Sequence, residues 1–222
     1  MIVDLNLNGK NVLVIGGGVE GYRKVRGLLG QNCKITVIGD KINSNLRTLY
    51  DDGKINLIKQ KITDTNILDN FKDLFLVLAA TDDKDLNRKI VEKGRLSRSF
   101  VYAADDPVVS DFSYASVINI EGTMQVAIST YGKSPIMARR LRIKAERILR
   151  RIIKKADIDN TKLQEFARIQ ARPIINTVSE RKKFLYSLIR DEHIQTLIKD
   201  SRMEEAKTLT LKLLNKWGVS GK

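Results

Sequence analysis

The chain has 222 residues, 42% of them hydrophobic, and carries a formal net charge of +14 at pH 7. No apolar run approaches the roughly 18 residues that a membrane span requires, and the first residues lack the basic and apolar parts of an export signal. We therefore expect a cytoplasmic protein of one or two domains with no membrane partner, and the positive charge predicts an anionic partner.

Short apolar segments rich in β-branched residues recur through the first hundred residues and predict strands. They are NVLVIG (11–16), KITVIG (34–39), INLIKQ (55–60), LFLVLAA (74–80) and SFVYAA (99–104). The spacing of apolar residues predicts helices between strands, for example over Glu20–Leu29 and Asp83–Leu96. Buried strands that alternate with helices are typical of a parallel sheet. The sequence therefore predicts an α/β fold with a Rossmann-like sheet.

Two more strands, and then only helices, are predicted in the second half. Segments 113–119 and 123–130 are too close together for an intervening helix, so we expect an antiparallel pair. Ser134-Pro135 is typical of a helix start, and further helices are predicted over Asp157–Ala171, Val178–Ile198 and Arg202–Trp217. We therefore expect a Rossmann-like domain at 1–112, a strand pair with a basic helix at 113–156, and a helical domain at 157–222.

The helix predicted after Ser134 combines an apolar stripe with the densest positive charge of the chain. Ten Lys and Arg residues lie between Lys133 and Lys155 against the single Glu146. The apolar stripe follows i+3 and i+4 steps. Its members are Met137, Leu141, Ala145, Ile148, Leu149 and Ile152. Any anion that the protein binds is first to be sought along this helix.

The chain has one cysteine and one histidine, and neither predicts a metal site. Cys33 has no partner for a disulfide, and its place before the apolar run KITVIG predicts a small buried residue. His193 falls within a predicted C-terminal helix, where we expect a packed or half-exposed structural role.

A glycine cluster, Gly16-x-Gly18-x-x-Gly21, follows the first predicted strand and opens a predicted helix. In a dinucleotide site, these three glycines allow a tight turn, close approach of a pyrophosphate, and close helix–strand packing. The helix N-terminus then offers N–H groups to the phosphates. Asp40, at the end of the second strand, is placed to bind a ribose 2′-hydroxyl and favours NAD over NADP, although Lys41 beside it weakens that preference. A turn that binds no ligand is the alternative.

Four ordered segments give the chain a resemblance to a known family. They are VIGGGVEGYRKV (14–25), LVLAATDDKDLNRKI (76–90), YAADDPVVSDF (102–112) and ISTYGKSPIMARRLR (128–142). Together they resemble the siroheme synthase type of precorrin-2 dehydrogenase, some members of which are also sirohydrochlorin ferrochelatases. The resemblance covers roughly the first 150 residues and implies NAD-dependent oxidation of precorrin-2 to sirohydrochlorin.

The resemblance places the family's catalytic aspartate at Asp105. Loss of a hydride from the tetrapyrrole is accompanied by loss of a proton, which a nearby carboxylate can accept as general base. Asp105 follows the fifth predicted strand, at the edge where open α/β sheets bind ligands. Asp106 and Asp111 are competing candidates nearby, and a solvated turn is the structural alternative.

The same resemblance implies cofactor contacts from Gly18, Val19, Glu20, Asp40 and Lys41. Glu20 is expected to contact the cofactor through its backbone, because a carboxylate is poorly placed beside a pyrophosphate. Thr81 follows the fourth strand and is a candidate for the nicotinamide side, with an N-cap for the following helix as the alternative.

Precorrin-2 carries many carboxylates, so the resemblance also implies a positively charged substrate site. Four residues at the start of the basic helix are candidates for charge-assisted hydrogen bonds to these carboxylates, with simple solvation as the alternative for each. They are Lys133, Ser134, Arg139 and Arg142. The resemblance further implies a homodimer, and it leaves open whether Fe²⁺ is a partner.

The chain departs from the family pattern in the region implied to bind the tetrapyrrole. Tyr102 replaces a common asparagine, Ala115 lies in the run where a proline is usual, and Ile120-Glu121 replaces an arginine–glycine pair. Thr130 stands where some relatives have serine. The effect of these departures on the substrate is left open.

A binding module is the second function that the sequence allows. In it, the Rossmann-like domain senses a nucleotide and the basic helical half binds nucleic acid. The net charge favours this hypothesis, but aromatic residues make up only 6% of the chain and form no basic aromatic groove. Salt-dependent DNA binding without tetrapyrrole turnover would distinguish it from the enzyme.

Overall fold

The computed structural model describes residues 2–220, with side chains described as far as residue 217. The chain divides into two compact units whose boundary lies between Tyr114 and Ala115. The division predicted within the second unit, after residue 156, stays a prediction.

The first unit is built on a five-stranded parallel sheet in the order β3-β2-β1-β4-β5. Its strands are β1 (Asn11–Ile15), β2 (Lys34–Gly39), β3 (Asn56–Lys59), β4 (Leu74–Ala79) and β5 (Phe100–Ala103). Its α-helices are α1 (Val19–Leu28), α2 (Ser44–Asp51) and α3 (Lys84–Leu96), and a short 3₁₀ helix spans Asn66–Asn70. The predicted Rossmann-like α/β fold is confirmed.

Both faces of this sheet are covered, because successive side chains of a strand point to opposite sides. Val12 and Val14 of β1 pack in one apolar cluster with residues of α1 and α2, such as Val25 and Leu46. The alternate residues of β1 pack in a second cluster with residues of α3, such as Ile90. The apolar strands noted in the sequence are therefore buried on two sides, as in other parallel sheets.

The strand order creates a switch point between β1 and β4. From β1 the chain proceeds to β2 on one side, and β4 then pairs with β1 on the other side. Ligands of open α/β sheets bind at the carboxyl ends of the strands at such a point. Ala80 N donates to Ile15 O over 2.7 Å, and Ala104 N donates to Ala79 O over 2.9 Å. The segments that follow β1, β4 and β5 therefore lie side by side along this edge.

As far as residue 220, the second unit consists of a strand pair and five helices. The elements are β6 (Ser116–Ile120), β7 (Met124–Ile128), α4 (Pro135–Ile152), α5 (Lys155–Ala171), α6 (Val178–Arg190), α7 (Glu192–Lys199) and α8 (Met203–Ser220). The two strands pair antiparallel, as predicted, and form a separate two-stranded sheet. One apolar cluster joins Ile118 and Ile120 of β6 to Ile158 of α5. A larger cluster lies among α5 to α8 and includes Phe184 and Leu188.

The helix predicted over Val178–Ile198 is two helices, α6 and α7. Asp191 separates them because its backbone is extended, with φ −75° and ψ 115°. Its carboxylate accepts a hydrogen bond from Ile194 N over 3.0 Å and so caps α7. An aspartate that binds its own backbone in this way favours a helix start over a helix interior.

The predicted apolar stripe of α4 is only partly buried within its unit. Ala145 and Leu149 pack against the strand-pair cluster. Ile148 and Ile152 are exposed to 61% and 62%, and Met137 and Leu141 are also exposed. This face of α4 is therefore apolar without being covered within the unit.

The predicted environment of Cys33 is wrong. Cys33 is half-buried rather than buried, and partial burial raises the pKa of its thiol. His193 is exposed on α7, which excludes the packed alternative and is compatible with the half-exposed one. No helix between residues 2 and 220 is long and apolar enough to cross a membrane.

Candidate functional site

The glycine turn after β1 is packed so closely that Gly16, Gly17 and Gly21 are required by the fold itself. Gly16 has φ +122°, and a Cβ there would overlap the carbonyl of Ala80. A Cβ at Gly21 would overlap the carbonyl of Gly16. A Cβ at Gly17 would overlap the carbonyl oxygen of Lys41. These three positions therefore need glycine whether or not a ligand binds.

Gly18 differs, because a Cβ added there meets no protein atom within 4 Å. Its φ of −77° suits any residue. Gly18 is the N-cap of α1, where the first N–H groups of a helix lack intrahelical partners and favour an anion. The open space in front of Gly18 therefore fits the close approach of a phosphate, which a side chain would obstruct.

Two further predicted cofactor residues, Asp40 and Lys41, follow β2 beside this turn. A Cβ at Gly17 would lie 2.5 Å from Lys41 O, so the turn and this segment are in close contact. Asn43 N also donates to Gly17 O over 2.8 Å. Asp40 is exposed, and its Oδ1 accepts a hydrogen bond from Lys41 N over 2.8 Å. The acid expected at a ribose therefore lies in the loop that packs against the glycine turn.

The carboxylate of Glu20 is bound by side chains of its own helix. Its two oxygens lie 3.1 Å from Arg23 Nη1 and 3.1 Å from Lys24 Nζ. Burial opposes its ionisation, but the hydrogen bonds and charges of Lys24 and Arg23 outweigh burial and hold the pKa of Glu20 below its ordinary value. This arrangement is compatible with the expected backbone contact from Glu20, since the carboxylate is held by its neighbours. Val19, the first residue of α1, is exposed.

Asp105 lies directly beyond β5 and is exposed. Its Oδ1 accepts a hydrogen bond from Asn87 Nδ2 over 2.7 Å. Asn87 belongs to α3 and also binds Thr81, the residue predicted on the nicotinamide side. The structure thus brings Asp105 and Thr81 together through one buried amide. The N-cap of α3 is Asp83 rather than Thr81, because the Asp83 carboxylate accepts from Leu86 N.

The two competing aspartates are held in ion pairs. Arg88 Nη2 lies 2.8 Å from Asp106 Oδ2, and this contact holds the pKa of Asp106 below its ordinary value. Arg95 Nη2 lies 2.7 Å from Asp111 Oδ1, and the other oxygen of Asp111 accepts from Val101 N. Among residues 2–217, whose side chains are described, no ion pair involves Asp105. Of the three carboxylates, Asp105 is thus the one whose side-chain partner is a neutral amide rather than an arginine.

Two residues of this region were missed from the sequence. Asn87 is 1% exposed and belongs to the face of α3 that also carries Ile90 and Val91. A polar residue at helical spacing within an apolar face was the available signal. Lys24 is 9% exposed and donates to Tyr102 Oη, a partner 78 residues away, for which the sequence contained no local signal.

The predicted substrate residues belong to the second unit, at the start of α4. Ser134 is the N-cap, since its Oγ accepts from Met137 N over 3.2 Å. Thr130 Oγ1 accepts from Ser134 N and braces the same turn. Lys133 and Arg139 are exposed.

Arg142 is engaged within α4, because its Nη1 lies 2.5 Å from Glu146 Oε2. Glu146 also binds Arg150, and that hydrogen bond, together with the charges of both arginines, holds the pKa of Glu146 below its ordinary value. Among the residues whose side chains are described, no group of three or more His, Cys, Asp and Glu side chains is arranged to hold a metal ion.

A parallel sheet with a glycine turn at its switch point, a helix N-terminus beyond that turn and an acid after the second strand define a nucleotide-binding α/β protein. Comparison with known families agrees. Residues 3–116 match the family model described as putative NAD(P)-binding, and the chain belongs to that family. Residues 121–144 match a second model, described as sirohaem biosynthesis protein central.

Relatives and a solved structure extend this comparison. The chain is 34% identical to a siroheme synthase of Actinobacillus succinogenes and 32% identical to one of Mannheimia succiniciproducens, each over 203 residues. These alignments cover 91% of this chain and 40% of each relative, so the chain spans less than half the length of those proteins. The fold is similar to that of SirC, precorrin-2 dehydrogenase, with TM-score 0.67, 20% identity, and coverage of 97% of this chain and 99% of that one.

Proposed function

We propose that this chain is an NAD-dependent precorrin-2 dehydrogenase, which forms sirohydrochlorin in siroheme biosynthesis. The observation that carries this proposal is the position of Asp105. It is an exposed carboxylate bound by a neutral amide, on the sheet edge that also carries the glycine turn. The matches to siroheme synthases and to the sirohaem central model support the choice of substrate.

Asp105 has the role of general base in this proposal. Oxidation of precorrin-2 removes a hydride and a proton, and bound NAD supplies the acceptor for the hydride. The Asp105 carboxylate accepts the proton. Because Asp106 and Asp111 are engaged by arginines, Asp105 is the aspartate of this loop that is best placed for that role.

The residues around the glycine turn fit a dinucleotide. The N–H groups at the start of α1, from Gly18 to Glu20, bind the pyrophosphate in the space that lacks a side chain. Asp40 accepts a hydrogen bond from a ribose 2′-hydroxyl and repels a 2′-phosphate, so NAD is preferred to NADP. Lys41 and Thr81 remain proposed contacts of the cofactor.

The basic start of α4 is proposed to bind the substrate's carboxylates. Lys133 and Arg139 are exposed and offer charged donors. Ser134 has its Oγ lone pair occupied by the helix cap, which leaves its hydroxyl hydrogen as a donor. Arg142 has donors beyond the Nη1 that binds Glu146, because a guanidinium carries five N–H groups.

A homodimer is also proposed, supported by the exposed apolar face of α4. Large apolar side chains on one helix face are typical of a surface that another protein covers. Ile148 and Ile152 are both more than half exposed, and Met137 and Leu141 on the same face are exposed to 43% and 44%. The cytoplasmic location stays a prediction from the sequence, and iron insertion lies outside this proposal.

The experiment is an anaerobic assay of precorrin-2 with NAD, in which sirohydrochlorin is followed by absorbance. The wild-type chain is expected to turn over, and Asp105→Asn is expected to lose about 100-fold or more of kcat, the scale of general base catalysis, with NAD affinity nearly unchanged. Asp106→Asn is the matched control and should retain activity. Equal activity of Asp105→Asn and wild type would remove Asp105 from the reaction. DNA binding without turnover would favour the nucleotide-sensing module.

A further inference from the structure

The side chain of Asn87 makes four hydrogen bonds to two loops, which is all that its amide group commonly makes. Its Oδ1 accepts from Thr81 N over 3.0 Å and from Thr81 Oγ1 over 2.7 Å. Its Nδ2 donates to Thr81 O over 3.1 Å and to Asp105 Oδ1 over 2.7 Å. These partners fix the orientation of the amide, because a backbone N–H can only donate and a backbone carbonyl can only accept. The nitrogen therefore faces Asp105.

We propose that Asn87 is a positioning residue for the oxidation, through which the proton acceptor Asp105 is held at a fixed place relative to the loop after β4. This inference rests on the proposed function. Three of the four bonds tie Asn87 to Thr81, and the fourth ends on the carboxylate of Asp105. One rigid amide thus sets the separation between the general base and the segment proposed to contact the nicotinamide.

The burial of Asn87 argues that this arrangement is specific. Asn87 is 1% exposed and lies among apolar neighbours of α3, where a buried amide is costly unless every polar atom is bonded. The bonds to Thr81 suffice to brace the loop after β4. The remaining N–H donates to the exposed carboxylate of Asp105, which satisfies the buried amide and also limits the rotation of that carboxylate.

An enzyme accelerates a reaction in part by holding the reacting groups in the productive orientation. A displacement of about 1 Å can cost about 100-fold in rate, because the reacting atoms leave their productive geometry. Loss of the bond from Asn87 frees Asp105 to rotate into solvent, while the glycine turn that binds the cofactor stays intact. Turnover should therefore fall with little change in NAD affinity.

Two variants of Asn87 separate positioning from packing. Asn87→Ala removes all four bonds. Asn87→Asp has the same shape and keeps the two acceptor bonds from Thr81, but it presents an oxygen to Asp105 in place of the donor. In the anaerobic assay, both are expected to lower kcat about 10- to 100-fold, with the NAD dissociation constant within about 3-fold of wild type.

Ser99→Ala is the matched control for loss of stability. Ser99 is also buried in the first unit, and its Oγ donates to Leu74 O over 2.7 Å. Because Ser99 precedes β5, at the opposite end of that strand from Asp105, Ser99→Ala should lower the midpoint of thermal unfolding and leave kcat unchanged. If Asn87→Ala and Ser99→Ala lose kcat alike, Asn87 acts through stability and the inference fails.

The outcomes for Asp105 and Asn87 are distinguishable. If Asp105→Asn is inactive while folded Asn87→Ala and Asn87→Asp retain the wild-type kcat, the positioning role is wrong and the proposed function stands. If Asp105→Asn is fully active, Asp105 is not the general base and the positioning role fails with it. If the wild-type chain does not oxidise precorrin-2, the proposed function itself fails. If neither Asn87 variant folds, Thr81→Ala tests the network from its other end. It removes the Oγ1 donor to Asn87, and unchanged kcat there would overturn the inference.

Discussion

The ammonium of Lys24 binds Tyr102 both at the hydroxyl and over the ring. Its Nζ donates to Tyr102 Oη over 3.0 Å and lies 4.3 Å from the centroid of the same ring. Tyr114 offers a second ring, with its centroid 4.4 Å from Nζ. By the resemblance drawn from the sequence, Tyr102 stands where asparagine is common, and here the aromatic side chain is held by a buried lysine.

Lys24→Met should lower the stability of the first unit. The change removes the cation between the two rings, and a desolvated cation–π contact contributes up to about 2 kcal/mol. We therefore expect a decrease of about 1–2 kcal/mol in the free energy of unfolding, measured in urea. Lys89→Met, on an exposed part of α3, is the control and should have little effect. Equal effects of the two variants would contradict a stabilising role for Lys24.

Glu20 predicts a specific dependence of stability on pH. Its pKa in the folded protein lies below the ordinary value of 4.5, so its contribution is present above that value and is lost as pH falls through the folded pKa. The stability difference between wild type and Glu20→Gln should therefore be larger at about pH 6 than at about pH 3.5, as measured by urea unfolding. Glu92→Gln, at an exposed position of α3, is the control. A difference that grows on acidification would refute this assignment.

The glycines of the turn predict opposite outcomes for the same substitution. Gly18→Ala meets open space and should leave the unfolding temperature nearly unchanged while weakening NAD about 10-fold, or about 1.4 kcal/mol. Gly21→Ala should destabilise the fold by about 1–3 kcal/mol, because its Cβ overlaps Gly16 O, although alanine is ordinarily the better helix former. Calorimetric titration with NAD and thermal unfolding measure the two effects. Unchanged NAD affinity in Gly18→Ala would place the pyrophosphate elsewhere.

The exposed apolar face of α4 predicts self-association. Wild type should sediment with twice the chain mass of 25.2 kDa. Ile148→Asp introduces a charge at a side chain that is 61% exposed within its unit and should shift the protein toward monomer. Leu96→Asp is the control, because Leu96 is 83% exposed on the first unit. A wild-type monomer, or a dimer insensitive to Ile148→Asp, would contradict the proposed surface.

The architecture was predictable because its signals are local. Each strand of the parallel sheet is a short apolar run, and Pro135 with Ser134 marks the start of α4. The sequence pattern of helix α2 is weaker than that of the strands, because α2 has only eight residues and buries only Leu46. The break at Asp191 was missed because apolar spacing continues on both sides of it, while the capping geometry of one side chain interrupts the helix.

The site was predictable where it depends on motifs and not where it depends on tertiary contacts. The glycine turn, Asp40 and Asp105 lie at recognisable positions after strands. The bonds of Asn87 to Asp105 and of Lys24 to Tyr102 join residues 18 and 78 positions apart. Packing of the whole sheet decides which polar side chains meet across such separations. The spacing of residues along the chain does not indicate these contacts.

The contrast among the glycines of the turn bears on how related proteins diverge. A descendant that ceased to use a dinucleotide would still have to retain glycine at positions 16, 17 and 21, since its own backbone excludes a β-carbon there. At position 18 such a descendant would be free to acquire any side chain. The residue at position 18 therefore indicates, from the sequence alone, whether a related protein still binds its coenzyme.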